Sequence, residues 1–429
     1  EPGNDVMWFW SENHVLCFHV SQYLAGQNFP DEVFSCSGRT GAQQKQLALG
    51  RLKLWFESME AHGLAEWNSS AYYPIDFIGL FALLELAEDE ELRSRSKRLI
   101  DLIFVTMALH THNGILGGTM GRSYEKELLA GPAAELSGFA YVGWGGGWIS
   151  QACASLPMFC LSDYVPPAIT DGLIRPAKDR PLEASYTQGV DHAGRLRLWK
   201  GHASQLSTIV DHLSGEPGHQ QHVVDVLLTG NPFARFWVNH PGDTRPWGHH
   251  RPSYWAGNGR LPRVAQHGPV ALLVFQAPDR DELPWTHLFA PRRACDALDQ
   301  QGSWLFLRSG EGFAGFCATE GLEIADHGQF AGDEWRSHGR KTAWVVVVGG
   351  GDEAAFTAFK EDWLAAGVRF DKEALCLTVQ VPGGPALRLE HEAPLSVDGT
   401  PTPFSPLDPR PHVRVGDGPL QPWIELTTS

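Results

Sequence analysis

The stretch Trp10-Ser11-Glu12-Asn13-His14 stands directly before an apolar run, Val15, Leu16, Phe18, Val20, Tyr23 and Leu24. Apolar residues at that spacing predict a helix over residues 12–25. A second segment of the same character, Glu66-Trp67-Asn68-Ser69-Ser70-Ala71-Tyr72-Tyr73, precedes Pro74 and another apolar run. Each sets amide, acid and ring side chains beside a helix start. Helix N-termini carry unpaired N–H groups and a partial positive charge, so both segments suit an anionic ligand. They are read as two walls of one polar cleft.

Helical spacing continues outward from these segments. Leu47, Leu49, Leu52, Leu54, Trp55, Phe56 and Met59 mark a helix over 40–62 that Gly63 ends. Pro74 suits a first helical turn and opens a helix over 75–86; another spans 90–110 and stops at Asn113-Gly114. Residues 123–142 and 147–175 carry weaker helical patterns broken by glycine and proline. Helices joined by short polar links predict antiparallel hairpins, an α/α array. Near Asp179-Arg180-Pro181 the pattern changes. Short β-rich runs follow at 196–199, 205–210, 222–228, 234–239, 270–276, 304–307, 313–317, 342–348, 374–381 and 386–389, with one helix at 353–366. The expectation is an α+β chain of two domains, helical over 1–183 and an antiparallel β-sandwich over 184–429.

With 429 residues, 43% hydrophobic and 20% charged, the chain is globular. No apolar run reaches the ~18 residues that cross a membrane, so no membrane partner is expected. The net charge of −16 opposes nucleic-acid binding, which depends on neutralising phosphates. That charge is uneven: Arg235, Arg245, Arg251, Arg260 and Arg263 fall within 231–267 beside one acid, Asp243. A positive groove on an acidic body suits a defined anionic ligand. The seven cysteines, Cys17, Cys36, Cys153, Cys160, Cys295, Cys317 and Cys376, form no C-x-x-C pair and are read as mostly buried small hydrophobes. Position 1 is Glu, so the numbering is expected to begin inside a longer product or after a processed leader.

Several constellations could carry chemistry. Asn13 and His14 could neutralise a carboxylate and move a proton, or could simply open a helix with a half-buried imidazole. Glu12 could be a carboxylate catalyst with Asp76, Glu66 or Asp211, or a partner of the helix dipole. Tyr72 and Tyr73 could exchange protons, or lie as amphipathic rings at a helix start. Asp211-His212 and His219-Gln220-Gln221-His222 enter a strand; alternation puts Gln220 and His222 on one face and Gln221 on the other. His219 and His222 could also hold a structural divalent metal, although no Cys or acid completes a set. Arg251-Pro252-Ser253-Tyr254-Trp255-Ala256-Gly257-Asn258-Gly259-Arg260-Leu261-Pro262-Arg263 interleaves arginine with aromatic rings, which suits a charged sugar. Trp144, Trp148, Trp247 and Trp255, in polar, Gly-rich settings, are candidate sugar platforms. Arg122-Ser123-Tyr124 follows Gly117-Gly118 and Gly121 on a loop and could hold a glycan chain.

An Asn-His pair on a helix, a tyrosine at a following helix start, and a histidine from a β domain resemble the heparinase-like and alginate-lyase-like polysaccharide lyases. That resemblance implies an α/α toroid, here incomplete, joined to an antiparallel β-sandwich. It implies a lyase that cleaves a uronic-acid polysaccharide by β-elimination between the two domains. Asn13, His14, Tyr73 and His222 would be catalytic. Glu12, Tyr72, Arg122, Tyr124, Trp148, His212, Gln221, Arg251, Trp255, Asn258 and Arg263 would bind the anionic chain. No metal or cofactor is required, and a polysaccharide substrate implies a secreted or periplasmic setting. The family's motif tends to be Asn-Asn-His where this chain has Glu12, and it usually follows a longer helical stretch. The acid keeps a glycoside hydrolase as the alternative, with a non-catalytic glycan-binding protein as a third.

Overall fold

Alternating helices and hairpins set the architecture of the computed structural model, which describes residues 11–149, 155–245, 250–277, 283–404, 411–419 and 421–423. Trp10, Cys153 and Trp247 lie outside them. Four long helices come first: α1 (Glu12–Asn28), α2 (Gly41–His62), α3 (Tyr73–Leu86) and α4 (Glu90–His110). Local chemistry fixes their ends. Thr40 and Gln43 form a reciprocal capping box at α2, Asp89 accepts from the Leu92 amide at α4, and Pro74 occupies the first turn of α3. Gly63, at φ 73°, ends α2 in a conformation that a side chain would strain.

The helices pair as antiparallel hairpins. The Trp55 indole near the end of α2 donates to the Glu12 carbonyl at the start of α1, at 3.2 Å. In the second hairpin Phe77 and Phe104 meet with ring centroids 5.5 Å apart. The expected long helices over 123–142 and 147–175 are replaced by short ones, α5 (Glu125–Ala130), α6 (Ser137–Trp144), α7 (Leu156–Leu161) and α8 (Ile169–Ile174). Glycine and proline in these stretches cut the backbone ladder every second turn. No described helix is long and apolar enough to cross a membrane.

Apart from two short hairpins within residues 33–40 and 111–116, strands begin at Leu182. A ten-stranded antiparallel sheet has one face on the helices; its other face packs on a six-stranded antiparallel sheet, where Phe236 and Phe316 meet at 6.2 Å. The six-stranded sheet is covered in turn by α9 (Glu353–Ala365) and a five-stranded sheet, through Phe356, Trp363, Leu377 and Leu387. The fold is therefore helical, then an antiparallel sandwich, with an extra outer layer that strand spacing alone did not separate.

Polar groups lock the helices to the sheet. Lys200, on the strand Gly194–Lys200, is fully buried and its ammonium donates to the carbonyls of Ala108, Thr111 and Leu173 at 3.1, 2.9 and 2.8 Å. A cation at the C-termini of α4 and α8 meets carbonyls that the helices leave unpaired. Nearby, His110 bonds to the Tyr186 hydroxyl, which accepts from Asn68 at 2.9 Å. Replacing Lys200 with Met orphans three buried acceptors, each costing about 1–3 kcal/mol. Urea unfolding is expected to show a loss of about 3 kcal/mol or more, and a loss under about 0.5 kcal/mol would contradict the assignment.

Candidate active site

A short strap, Gly117–Ser123, builds the seam between helices and sheet. On one side the Gly121 amide donates to Trp67 O at 2.9 Å and Ser69 Oγ donates to Arg122 O at 2.7 Å. On the other, Met120 and His222 exchange backbone hydrogen bonds at 3.1 and 2.9 Å, and Ser123 N donates to Gln220 O at 3.0 Å. Gly121 has no room for a side chain, because a Cβ there would strike the Ala65 carbonyl and the Trp67 ring. The strap thereby carries Arg122 and Tyr124 to the junction.

Beside it opens a cleft of about 610 Å³, lined from the helical half by Tyr72, Tyr124 and Glu127 and from the sheet half by Gln220, Arg251 and Ser253. That volume suits a small organic ligand. Arg122 is the hub. Its guanidinium pairs with Glu66 at 2.5 Å, donates to Gln220 at 3.1 Å and to the Tyr124 hydroxyl at 3.4 Å, and lies 4.3 Å over the Tyr72 ring. Arg251 donates to the same Tyr124 hydroxyl at 3.1 Å, and the Tyr72 and Tyr124 hydroxyls are 2.6 Å apart.

This setting drives the two phenols apart. Burial raises the pKa of Tyr72, and its hydrogen bond to Tyr124 raises it further. Burial also opposes ionisation of Tyr124, but the Tyr72 hydrogen bond and the charge of Arg122 outweigh it, and the pKa of Tyr124 falls below the usual value. A pair so divided has an acid member and a base member.

Beneath Arg122 lies a group of carboxyls. Glu12 accepts from the Ala65 and Glu66 amides at 2.8 and 3.1 Å. Burial is the main reason that its pKa rises to about 7, against those two amides and with help from Glu66. Glu66 is raised by burial, against the charges of Arg122 and His14, so His14 lies within electrostatic range of this group. Asp76 is fully buried, neither of its oxygens has a partner, and burial followed by Glu12 and Glu66 holds it well above the carboxylate range.

Several expectations need correction. Tyr73 is sealed in the core, because the first turn of α3 points it inward, and burial opposes its ionisation. His222 is buried, bonded at 2.8 Å to Asp225, which pairs with Arg235 at 2.7 Å; it stands behind the cleft wall. Asn13 is buried and accepts from Ser11. His212 is buried edge-on to Trp67, at 5.8 Å. Trp255 stacks on His287 at 3.9 Å, and Asn258 braces the His240 amide and the Gln221 carbonyl, so both are framework. Gln221 yields its place in the cleft to Gln220. Arg263 pairs with Asp211 at 2.9 Å, away from the cleft, and Trp148 is exposed beside the loop at Gly114. His222 of the candidate His219–His222 pair bonds to Asp225, and no group of three His, Cys, Asp or Glu poised for a metal exists among the described residues. What the structure gathers is Glu12, His14, Tyr72, Arg122, Tyr124 and Arg251, with Glu66 and Gln220. Gln220 was readable from alternation with His222, but nothing local marked it as facing the strap.

The pKa of Glu12 predicts a pH dependence. Its folded value of about 7 exceeds the ordinary 4.5, so the folded state holds more protons between these limits. Stability from this group is full below pH ~4.5 and is lost as pH rises through about 7, by at most about 1.4 kcal/mol per pH unit. Glu12→Gln is expected to flatten that decline in urea titrations run across this range. An unchanged slope would contradict it.

No family model matches the chain, and no curated protein matches it. Among solved structures it is similar to a crystal structure of heparinase III, at a TM-score of 0.41 and 9% identity, over 94% of this chain and 67% of that one.

Proposed function

We propose that the protein is a polysaccharide lyase that cleaves a uronic-acid-containing polysaccharide by β-elimination in this cleft. The observation that carries the reading is the Tyr72–Tyr124 pair, joined at 2.6 Å and flanked by Arg122 and Arg251. Elimination begins at a weak carbon acid, the carbon α to a uronate carboxylate. Arg251 and Arg122 supply the positive charge that stabilises the enolate-like charge as it develops. Tyr124, the phenol whose pKa is lowered, takes that proton as base. The electron pair forms the carbon–carbon double bond while the bond to the glycosidic oxygen at the β carbon breaks. Tyr72 gives its proton to the departing oxygen, and Tyr124 then reloads Tyr72 across their hydrogen bond. Protons balance without a co-reactant.

The proton work thus passes from Tyr73 and His222 to Tyr72 and Tyr124. His14 and Glu66 tune the charge around Arg122. The hydrolase alternative with Glu12 and Asp76 loses support, because backbone amides occupy both Glu12 oxygens and Asp76 has no opening to the cleft. The proposed partner is an anionic polysaccharide or oligosaccharide, met in a secreted or periplasmic setting.

Incubation with a panel of uronate glycans, followed by near-ultraviolet absorbance, tests this reading. Elimination leaves an absorbing unsaturated uronate. Tyr124→Phe is expected to lower kcat by about 10²–10⁴, while Tyr73→Phe keeps most of the activity. Reducing ends appearing without absorbance would establish hydrolysis instead, and affinity without turnover would establish a binding protein.

A further inference from the structure

A second polar cavity, of about 290 Å³, lies apart from the cleft at one edge of the sandwich. Its floor is a cross-strand row. Arg414 pairs in register with Ser185, Ser185 with Arg197, and Arg197 with Thr208. Residues opposite one another in an antiparallel sheet share a face. This is the face that, along the same strands, carries Trp199, Leu206, Val226 and Phe236 toward the six-stranded sheet. Two arginines therefore sit on one inward face, on strands about 10 Å apart with the Ser185 strand between them.

Among the described residues, neither arginine forms an ion pair with a protein carboxylate or a hydrogen bond, and the Nε of Arg414 is buried and unpartnered. Arg197 contacts the Phe404 ring at 5.4 Å. Two acids are near in the electrostatic sense. Asp211 is already held by Arg263 at 2.9 Å, and Glu183, also on the cavity wall, forms no ion pair with either guanidinium. Burial works against the charge of Arg197, and Arg414 adds repulsion to it. Like charges on a half-buried face are costly unless an anion lies between them.

We propose that this cavity is an anion-binding site in which Arg197 and Arg414 clasp one oxyanion group over Ser185. A volume at the lower edge of the ~300–1,000 Å³ range of small-molecule sites limits the occupant to one small unit. That oxyanion is either a free inorganic anion or the carboxylate or sulfate of one sugar in an acidic glycan. Arginine forks suit both geometries.

Isothermal titration of the full chain with sodium sulfate, sodium phosphate and a uronate oligosaccharide separates these sources. At least one is expected to bind saturably at a site that weakens about tenfold or more in Arg197→Gln/Arg414→Gln, whereas oligosaccharide binding that this double variant keeps and Arg251→Ala loses belongs to the cleft. Arginine-dependent saturation by the inorganic salts alone assigns the site to a free anion; oligosaccharide binding lost in the Arg197→Gln/Arg414→Gln variant assigns it to a glycan. Arg197→Lys/Arg414→Lys, which keeps the charge but loses the fork, guards against misfolding and is expected to bind with intermediate affinity. Absence of saturable binding to the wild-type chain, or binding that both double variants retain in full, would overturn the proposal.

Discussion

The contact on which the site depends is the grip of Arg122 on its neighbours from both halves of the chain. One guanidinium holds Glu66 from the helical half and Gln220 from the sheet half, reaches the Tyr124 hydroxyl, and covers the Tyr72 ring. Five donors in a rigid plane let arginine do this where lysine, with a point charge, could not. The arrangement works only because the strap from Gly117 to Ser123 is fastened on both sides, to the Trp67–Ser69 turn and to Gln220–His222. Slackening either fastening would move Arg122 and Tyr124 together, so the cleft and the domain seam are one structural problem.

Burial and charge then do the chemical sorting. The same guanidinium that lowers the Tyr124 pKa also pulls against the burial of Glu66, while Asp76 and Glu12, deeper and more distant from it, are left high. Burial favours the neutral forms of Glu12 and Asp76, Glu66 pairs with Arg122, and the cleft wall itself mixes Arg251 and Lys126 with Glu125, Glu127 and Glu135.

Periodicity made much of the fold legible. The four long helices and ten of the strands follow from apolar spacing and from Thr40, Pro74, Gly63 and Asp89 at helix ends. Strands such as Leu182–Gln188, Trp285–Phe289 and Glu334–His338 carry too many polar residues to show it. The short helices between Glu125 and Ile174 were blurred because glycine and proline interrupt a pattern that periodicity measures over longer windows. The site was half legible. Glu12, Arg122, Tyr124 and Arg251 stand out as polar side chains on helix starts and loops. The choice between Tyr72 and Tyr73 did not, because adjacent residues at a helix start differ only in which way the first turn rotates them. His222, Trp255 and Asn258 carry the side chains of a binding site but are buried against partners of their own. Their partners, Asp225, His287 and His240, lie in other strands or loops that no local pattern connects to them.

The division of the two phenols is the centre of this account, and an ultraviolet difference titration of tyrosinate reads it without any substrate. The wild-type protein should show one phenol ionising below the ordinary tyrosine value of about 10, and that early step should vanish in Tyr124→Phe. A titration in which no phenol ionises early, or in which the early step survives that substitution, would contradict it.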